Sequence, residues 1–455
     1  MLNISQKAKN ALLAPSRYIK FKIEVYFDGE DNPPTDITHD VISFDTVEEV
    51  SPSTTLPFGG VSYNELSVVL DNMQQLYTIS NTSSMYNGKL IANKKVKLTY
   101  LVETDEDVFE EITGGVFYTD AWSSDNEALT ATLTCYDKLA LYGSTPVSRF
   151  RVAKNISFKN AYIKLFVGAG LSSDDYIIDD TLNGTLEYFW CTGDSLNMCL
   201  DDLSMVTISN VYVDKNNKIR VAPASTNSSA DLTISDSNII YTSKSDPSYS
   251  NVYSGINLKY NILSASSSTQ IYNADAITLT PGENKINDIT FNSSPVISIS
   301  SIVLKATNGA YIKSYDYNDK YASIVIVNSS DTTIVGNLTI NGLIGSEVSV
   351  STFVATDNSI VANNIADVSL PIVCSDTYAS VYAKSILNMY SDYASIVTID
   401  SRGFPALELF DVVNIESATA SINGSYNIVK MAYSFLDGLS CAITARVSYG
   451  GVNSG

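Results

Sequence analysis

From Tyr18 onward, apolar and polar residues alternate. In YIKFKIEVYFDGE, Ile19, Phe21, Ile23 and Val25 fall on one face and Lys20, Lys22 and Glu24 on the other. A period of two residues predicts a half-buried strand, and Asp28-Gly29 supplies its turn. The period returns in ITHDVISFDTVEEV and, after a break at Gly59 and Gly60, in Leu66, Val68 and Leu70. It continues through KKVKLTYLVE and ITGGVFYTDAW and through Leu129, Ala131, Leu133 and Cys135 before Asp137. Residues 1–145 are therefore expected to fold as one antiparallel barrel or sandwich.

The period then changes. SFKNAYIKLFVGAGL places Ala161, Ile163, Leu165 and Phe166 ahead of Gly168 and Gly170, which predicts a short helix with a glycine stop. DSLNMCLDDL reads as a helix opened by Asp194 or Ser195, followed by a hairpin whose turn is DKNNK. Residues 146–244 are thus expected to form a small α/β domain. NVYSGINLKYNIL is strand-like, and SASSSTQ reads as a linker. Short β runs with Asn, Ser and Gly turns fill 266–365 and predict an inserted β-sandwich. In DTYASVYAKSILNMYSDY, Tyr378, Val381, Tyr382, Ile386 and Met389 recur at helical spacing. RGFPALELFDVVNI follows: Gly403 and Pro405 predict a turn, and Leu407 and Leu409 predict a strand. Two more strands close the chain, so 245–265 plus 366–455 are expected to form a second, discontinuous barrel. The fold class is mainly β with minor α/β.

Length agrees with several units, because single cores stop growing at about 250–300 residues and this chain has 455. A formal charge of −21 and a pI near 4.3 exclude a phosphate grip, which needs lysine and arginine stripes. Cys135, Cys191, Cys199, Cys374 and Cys441 are odd in number and scattered, which predicts buried thiols rather than a disulfide framework or a zinc site. No stretch has the length and apolarity of a signal peptide or a membrane-spanning helix, so a soluble, leaderless chain is expected.

Catalytic patterns are missing from the sequence. His39 is the single histidine. Nucleophile-elbow, zincin, Walker and dinucleotide motifs do not occur. Carboxylates are paired at Asp174-Asp175, Asp179-Asp180, Asp201-Asp202 and Glu110-Glu111. Adjacent residues in a strand face opposite ways, so adjacency alone does not assemble a general acid and base. SSDDYIIDD is dense in oxygen ligands but lacks the spacing of a calcium loop, and solvated turn acids are the expectation. Tyrosines at alternating positions are expected in packing rather than as a sugar platform. No catalytic, cofactor-binding or metal residue is assigned, and no cofactor.

Two regions are more specific. GGVSYNELSVVLDN, SSMYNGKLIANKKVKLTYLV and GGVFYTDAWSSDNEALTATLTCYDKL resemble the N-terminal domain of phage tail hub and tail-associated proteins. The resemblance is carried by Asn64, Glu65, Leu66, Asp71, Asn72, Gly88, Phe117, Tyr118, Trp122, Tyr136 and Asp137. The C-terminal end is similar to the same family through Arg402, Gly403, Pro405, Ala406, Leu407, Asp411, Val412, Val413, Tyr426, Gly438, Leu439 and Arg446. Phe410 stands where that family usually carries glycine. Together the two regions cover about half of the chain.

The resemblance implies a structural, non-enzymatic baseplate or tail-tip hub with two hub-type antiparallel β-barrels per chain. Three copies would form a homotrimer, a pseudo-six-fold ring between the tail tube or distal-tail proteins and a central spike or tip protein. A tape measure protein is a further expected partner. Many relatives add a peptidase or lysozyme extension, whereas this sequence ends at GGVNSG, so no enzyme of its own is expected. DNA would pass the lumen without specific binding, and the expected location is the virion tail, after synthesis in the host bacterial cytoplasm. Two other readings stand beside it: a tail-tip receptor-binding or distal-tail protein contacting the host surface, and a standalone glycan-acting enzyme, against which the single histidine weighs.

Overall fold

The computed structural model describes residues 1–50, 58–191, 193–224, 230–245, 253–306, 309–355, 365–391 and 396–447. Strands dominate, and the largest sheet has 13 of them. Its order begins with Thr35–Asp36, Ile19–Val25, Lys95–Asp105, Val108–Asp125, Thr130–Tyr136, Glu65–Asp71 and Val41–Glu49. It continues without interruption into Ile422–Phe435, Leu439–Val447, Ile396–Ser401 and Ile239–Ser245. Val412–Ser417 also pairs with Ile422–Phe435 and carries Leu232–Ser235 on its other side.

The seam between the two halves is antiparallel. Lys430 to Phe435 lie opposite Glu49 to Phe44. Phe44 and Phe435 stack there at 5.6 Å, with Phe21 edge-on to both. The alternation that predicted these strands places Ile23, Val25, Leu66, Val68, Leu70, Leu133 and Cys135 inside. They share one apolar core with Ile399, Phe404, Leu407, Met431, Tyr433 and Ile443 of the C-terminal half. Leu129 departs from the pattern: it sits in the turn before Thr130 at φ 55° and is exposed.

A second core lies beneath. Helix Phe158–Gly168 is capped by Ser157 and helix Leu196–Thr207 by Ser195, whose hydroxyl accepts from Met198 N–H. Hairpin Ser209–Val213 with Ile219–Pro223 packs on them. Helix Asp376–Ser391 joins this core through Ala379, Tyr382, Ala383 and Ile386, and the Tyr382 hydroxyl donates to Met205 O at 2.9 Å.

Strand Gly255–Ala265 pairs parallel with Ile365–Ser369, at the start of the C-terminal segment it was expected to join, and antiparallel with Ile334–Ala355, while its inward Ile256, Leu258 and Tyr260 belong to the second core. The linker expected at SASSSTQ is a tight corner: Ser266 N–H donates to Ile344 O, and strand Thr269–Leu279 begins at once. The inserted region is a sandwich. Thr269–Leu279, Ile334–Ala355 and Val296–Ala306 form one sheet, and Gly282–Thr290, Tyr321–Asn328 and Ala310–Tyr317 form the other. Ile271, Leu279, Ile324, Ile326, Leu338 and Ile340 fill the space between them.

Two further differences from the sequence expectation have plain causes. A helix at Gln6–Leu13, which periodicity did not indicate, forms because Ser5 caps it and Ala8 and Leu12 bury against the main sheet. In RGFPALELFDVVNI the strand starts only at Val412. Leu407 and Leu409 are buried on a series of turns, with Leu407 N–H donating to Phe404 O and Asp411 N–H to Glu408 O.

Candidate functional site

The residues that might have carried chemistry are dispersed. His39 is exposed, its ring 3.3 Å from Asp40. Glu110 accepts from Ser5 N–H at 2.8 Å. Asp179 turns back on Thr181, Asp180 holds Lys159, and Asp201 and Asp202 lie on the helix Leu196–Thr207. Asp175 is the exception in energy: burial pushes its carboxyl up, yet Lys138 and Ser172 hold it down at about 2. Among the described residues no group of three or more His, Cys, Asp or Glu is arranged to hold a metal ion. All five cysteines are free and buried. Cys191 and Cys199 lie with their sulfurs 3.4 Å apart, a neighbourhood that sequence spacing did not reveal. No helix among the described residues is long and apolar enough to cross a membrane.

Three of the residues behind the family resemblance, Asn64, Tyr118 and Asp137, meet at one joint. Asn64 N–H donates to Asp137 Oδ2 at 2.7 Å, and Asp137 N–H returns to Asn64 O at 3.0 Å. The other oxygen of Asp137 caps helix Lys138–Gly143 through Leu139 and Ala140 N–H. Burial pushes that carboxyl up to about 7, opposed by the three N–H donors. Asn64 also donates through Nδ2 to Val213 O at 2.8 Å, and Tyr118 accepts from Asn217 Nδ2 at 3.0 Å. Both contacts reach the hairpin of the second core.

The turn of that hairpin, Asp214 to Lys218, is a wedge between the sheet halves. Asp214 accepts from Asn216 and Lys218 N–H and from Arg220 Nε, which fixes the turn. Lys215 is buried. Its ammonium donates to Pro405 O at 2.9 Å, lies 3.5 Å from Glu48 Oε1 and sits 5.0 Å from the Tyr433 ring centroid. Thr113 donates to Lys215 O at 3.2 Å. One side chain thus touches the last strand of the first half, a turn of the second half and the strand joined to it. Burial pushes the Glu48 carboxyl up, and Lys215 opposes the shift.

Sequence reading had no signal for Lys215, since a lysine in DKNNK looks like a solvated turn residue. Gly114-Gly115 was a usable signal, because paired glycines inside a strand mark a bulge or a close approach. A Cβ on Gly114 would come within 2.6 Å of Leu98 and 2.8 Å of Tyr100, and the pairing register shifts there.

The C-terminal motif is equally occupied in joining. Arg402 donates to Pro15 O at 2.8 Å and Ala14 O at 2.9 Å, and Arg17 donates to Gly403 O at 2.6 Å. Phe410 has φ 68°, the left-handed conformation that glycine adopts freely. Its N–H donates to Ile428 O, and its ring lies 5.4 Å from that of Tyr212. The side chain differs from the family's glycine while the backbone conformation is the one glycine would supply.

This arrangement defines a mostly β protein whose two sheet halves share a seam and are pinned by a third unit, with a site built for joining. No protein-family model and no curated protein matches the sequence. Solved structures do match in fold. The prophage MuSo2 43 kDa tail protein from Shewanella oneidensis aligns with a TM-score of 0.51 at 9% identity, over 94% of this chain and 98% of that one. The tail protein of Neisseria meningitidis MC58 aligns with a TM-score of 0.52 at 9% identity, over 94% and 96%. The chain has the fold of these phage tail proteins, as the motif resemblance implied.

Proposed function

We propose that this protein is a structural hub of a phage tail or phage-tail-like particle. It acts as three copies in a pseudo-six-fold ring that connects the tail tube or distal-tail proteins to a central spike or tip. The observation that carries the reading is the seam: Val41–Glu49 and Ile422–Phe435 are hydrogen-bonded neighbours, so each chain supplies two sheet halves in one continuous sheet. Two halves in each of three chains give six positions, the number that a six-fold tube presents. The Lys215 wedge supports the same reading, since it is built to hold geometry. No catalytic role is part of it. The formal charge of −21 would let DNA pass such a ring without being trapped.

Native mass spectrometry with negative-stain imaging of the purified protein tests the proposal. A trimer and annular particles are expected. A monomer that binds host-wall glycan would overturn it in favour of a receptor-binding tip protein.

A further inference from the structure

Two of the five cysteines face each other. Cys191 follows strand Thr185–Phe189, and Cys199 lies in the first turn of helix Leu196–Thr207, where its N–H donates to Ser195 O at 3.2 Å. Their sulfurs are 3.4 Å apart, and both are directed at one acceptor, Gly193 O, at 3.1 Å from Cys191 and 3.6 Å from Cys199. The shared carbonyl sets the two thiols side by side. A Cβ on Gly193 would come within 2.7 Å of Met198 Cβ and 3.3 Å of Cys199 Sγ, so glycine lets the connecting stretch pack directly on the pair. The other thiols lie elsewhere: Cys135 and Cys441 are separated by three strands of the main sheet, and Cys374 precedes helix Asp376–Ser391.

Sulfurs this close need only small side-chain rotations to reach the roughly 2 Å of a disulfide bond. Both are buried, yet the stretch that connects them reaches solvent at Asp194, whose side chain is 93% exposed, and at Met198, 55% exposed. A small oxidant suits that access. The Cys199 thiol and, less strongly, the Arg149 guanidinium hold the Cys191 thiol below its ordinary value against the effect of burial. The same contact, together with burial, pushes the Cys199 thiol up. Cys191 is therefore the member of the pair that supplies a thiolate, the nucleophilic form of cysteine.

We propose that Cys191 and Cys199 form a reversible redox site, closed to an intramolecular disulfide by hydrogen peroxide. The Cys191 thiolate attacks one peroxide oxygen and the O–O bond breaks. Cys191 becomes a sulfenic acid, and the departing hydroxide takes back the proton that Cys191 gave up and leaves as water. The Cys199 sulfur then attacks the Cys191 sulfur, the S–O bond breaks, and the hydroxyl leaves as a second water with the Cys199 proton. Two thiols and one peroxide thus give one disulfide and two waters, a two-electron oxidation that dithiothreitol reverses. The bond ties the end of strand Thr185–Phe189 to the start of helix Leu196–Thr207, beside a link to the sandwich: Arg149 donates to Cys191 O at 3.2 Å and to Asp319 Oδ2 at 2.9 Å. Closure locks the segment that carries this link. The site is independent of the ring reading above.

The test treats the folded full-length chain with a small molar excess of hydrogen peroxide. Thiols are then counted after denaturation, and peptides are mapped by mass spectrometry with and without dithiothreitol. Two of the five thiols should disappear into a peptide pair joined through Cys191 and Cys199, at a rate independent of protein concentration, and dithiothreitol should restore both. The linked chain should melt at a higher temperature than the reduced one, because a closed loop restricts the unfolded state. Cys191→Ala and Cys199→Ala should each abolish the link and the rise in melting temperature, whereas Cys374→Ala should keep both. Survival of all five thiols, a link through Cys135, Cys374 or Cys441, or a Cys191 sulfinic acid beside a reduced Cys199 overturns the site. A linked chain that melts no higher than the reduced one overturns the lock.

Discussion

Phe410 separates what a side chain does from what its backbone does. At φ 68° it bears strain of about 1–2 kcal/mol that glycine would not have, but its ring is buried against Tyr212. Truncating a buried phenylalanine costs about 3–5 kcal/mol. Phe410→Gly should therefore lower stability by about 2 kcal/mol or more in urea unfolding, despite restoring the residue usual in the resembling family. Lys215 gives a sharper case. Lys215→Met leaves the Glu48 carboxylate buried without its cation, an expected loss of about 3–5 kcal/mol. The sign with pH follows from the upward shift of Glu48. Its native form binds a proton more readily than the unfolded one, so stability falls as pH rises beyond its ordinary value of 4.5. The deficit of Lys215→Met should be smaller at about pH 5 than at about pH 8, and Glu48→Gln added to it should flatten the difference. Asp175 runs the opposite way: held at about 2, it contributes above its ordinary 3.8 and stops contributing as pH falls toward 2. Lys138→Ala should remove most of that acid-side dependence in melts. Among single residues, Asn64 and Asp137 were legible because their motif resembles that of a family. Lys215 and Glu48 were not, since burial of a charge is decided by partners far away in sequence.

For elements, period-two alternation was a reliable guide wherever one face meets a core and the other meets solvent. It identified Ile19–Val25, Glu65–Asp71 and Thr130–Tyr136. It failed at Leu407 and Leu409, because buried turns also hide leucines, and at Leu129, whose turn position imposes a left-handed backbone. The antiparallel partner of Gly255–Ala265 was illegible for another reason: alternation says which face is buried, never against what. The seam is the element with the clearest test. Thr46 has Leu66 on one side and Tyr433 on the other, so Thr46→Pro places a residue without N–H in a strand paired on both edges. A loss of about 3 kcal/mol or more is expected, with amide exchange accelerated across Glu49 to Phe44 and Lys430 to Phe435 together.

In the whole molecule, fold class was readable from composition and period, and the joints were not, because they are made by contacts such as Lys215 with Pro405 that link distant segments. Ile334–Ala355 adds a last consequence. This 22-residue strand, about 70 Å if fully extended, is shared by two sheets. Its first part pairs with Thr269–Leu279 and Val296–Ala306, and its last part with Gly255–Ala265. The changeover falls between Gly342 and Gly345. A load applied to the sandwich therefore reaches the second core along two adjacent backbone crossings, Ala265 to Thr269 and Gly342 to Gly345, and through the ion pairs of Arg149 with Asp319 and Arg151 with Asp316. The same continuity sets a rule for exchanging modules: a replacement head must be spliced at Ala265 and Gly345, in register, or the beam beneath it is cut.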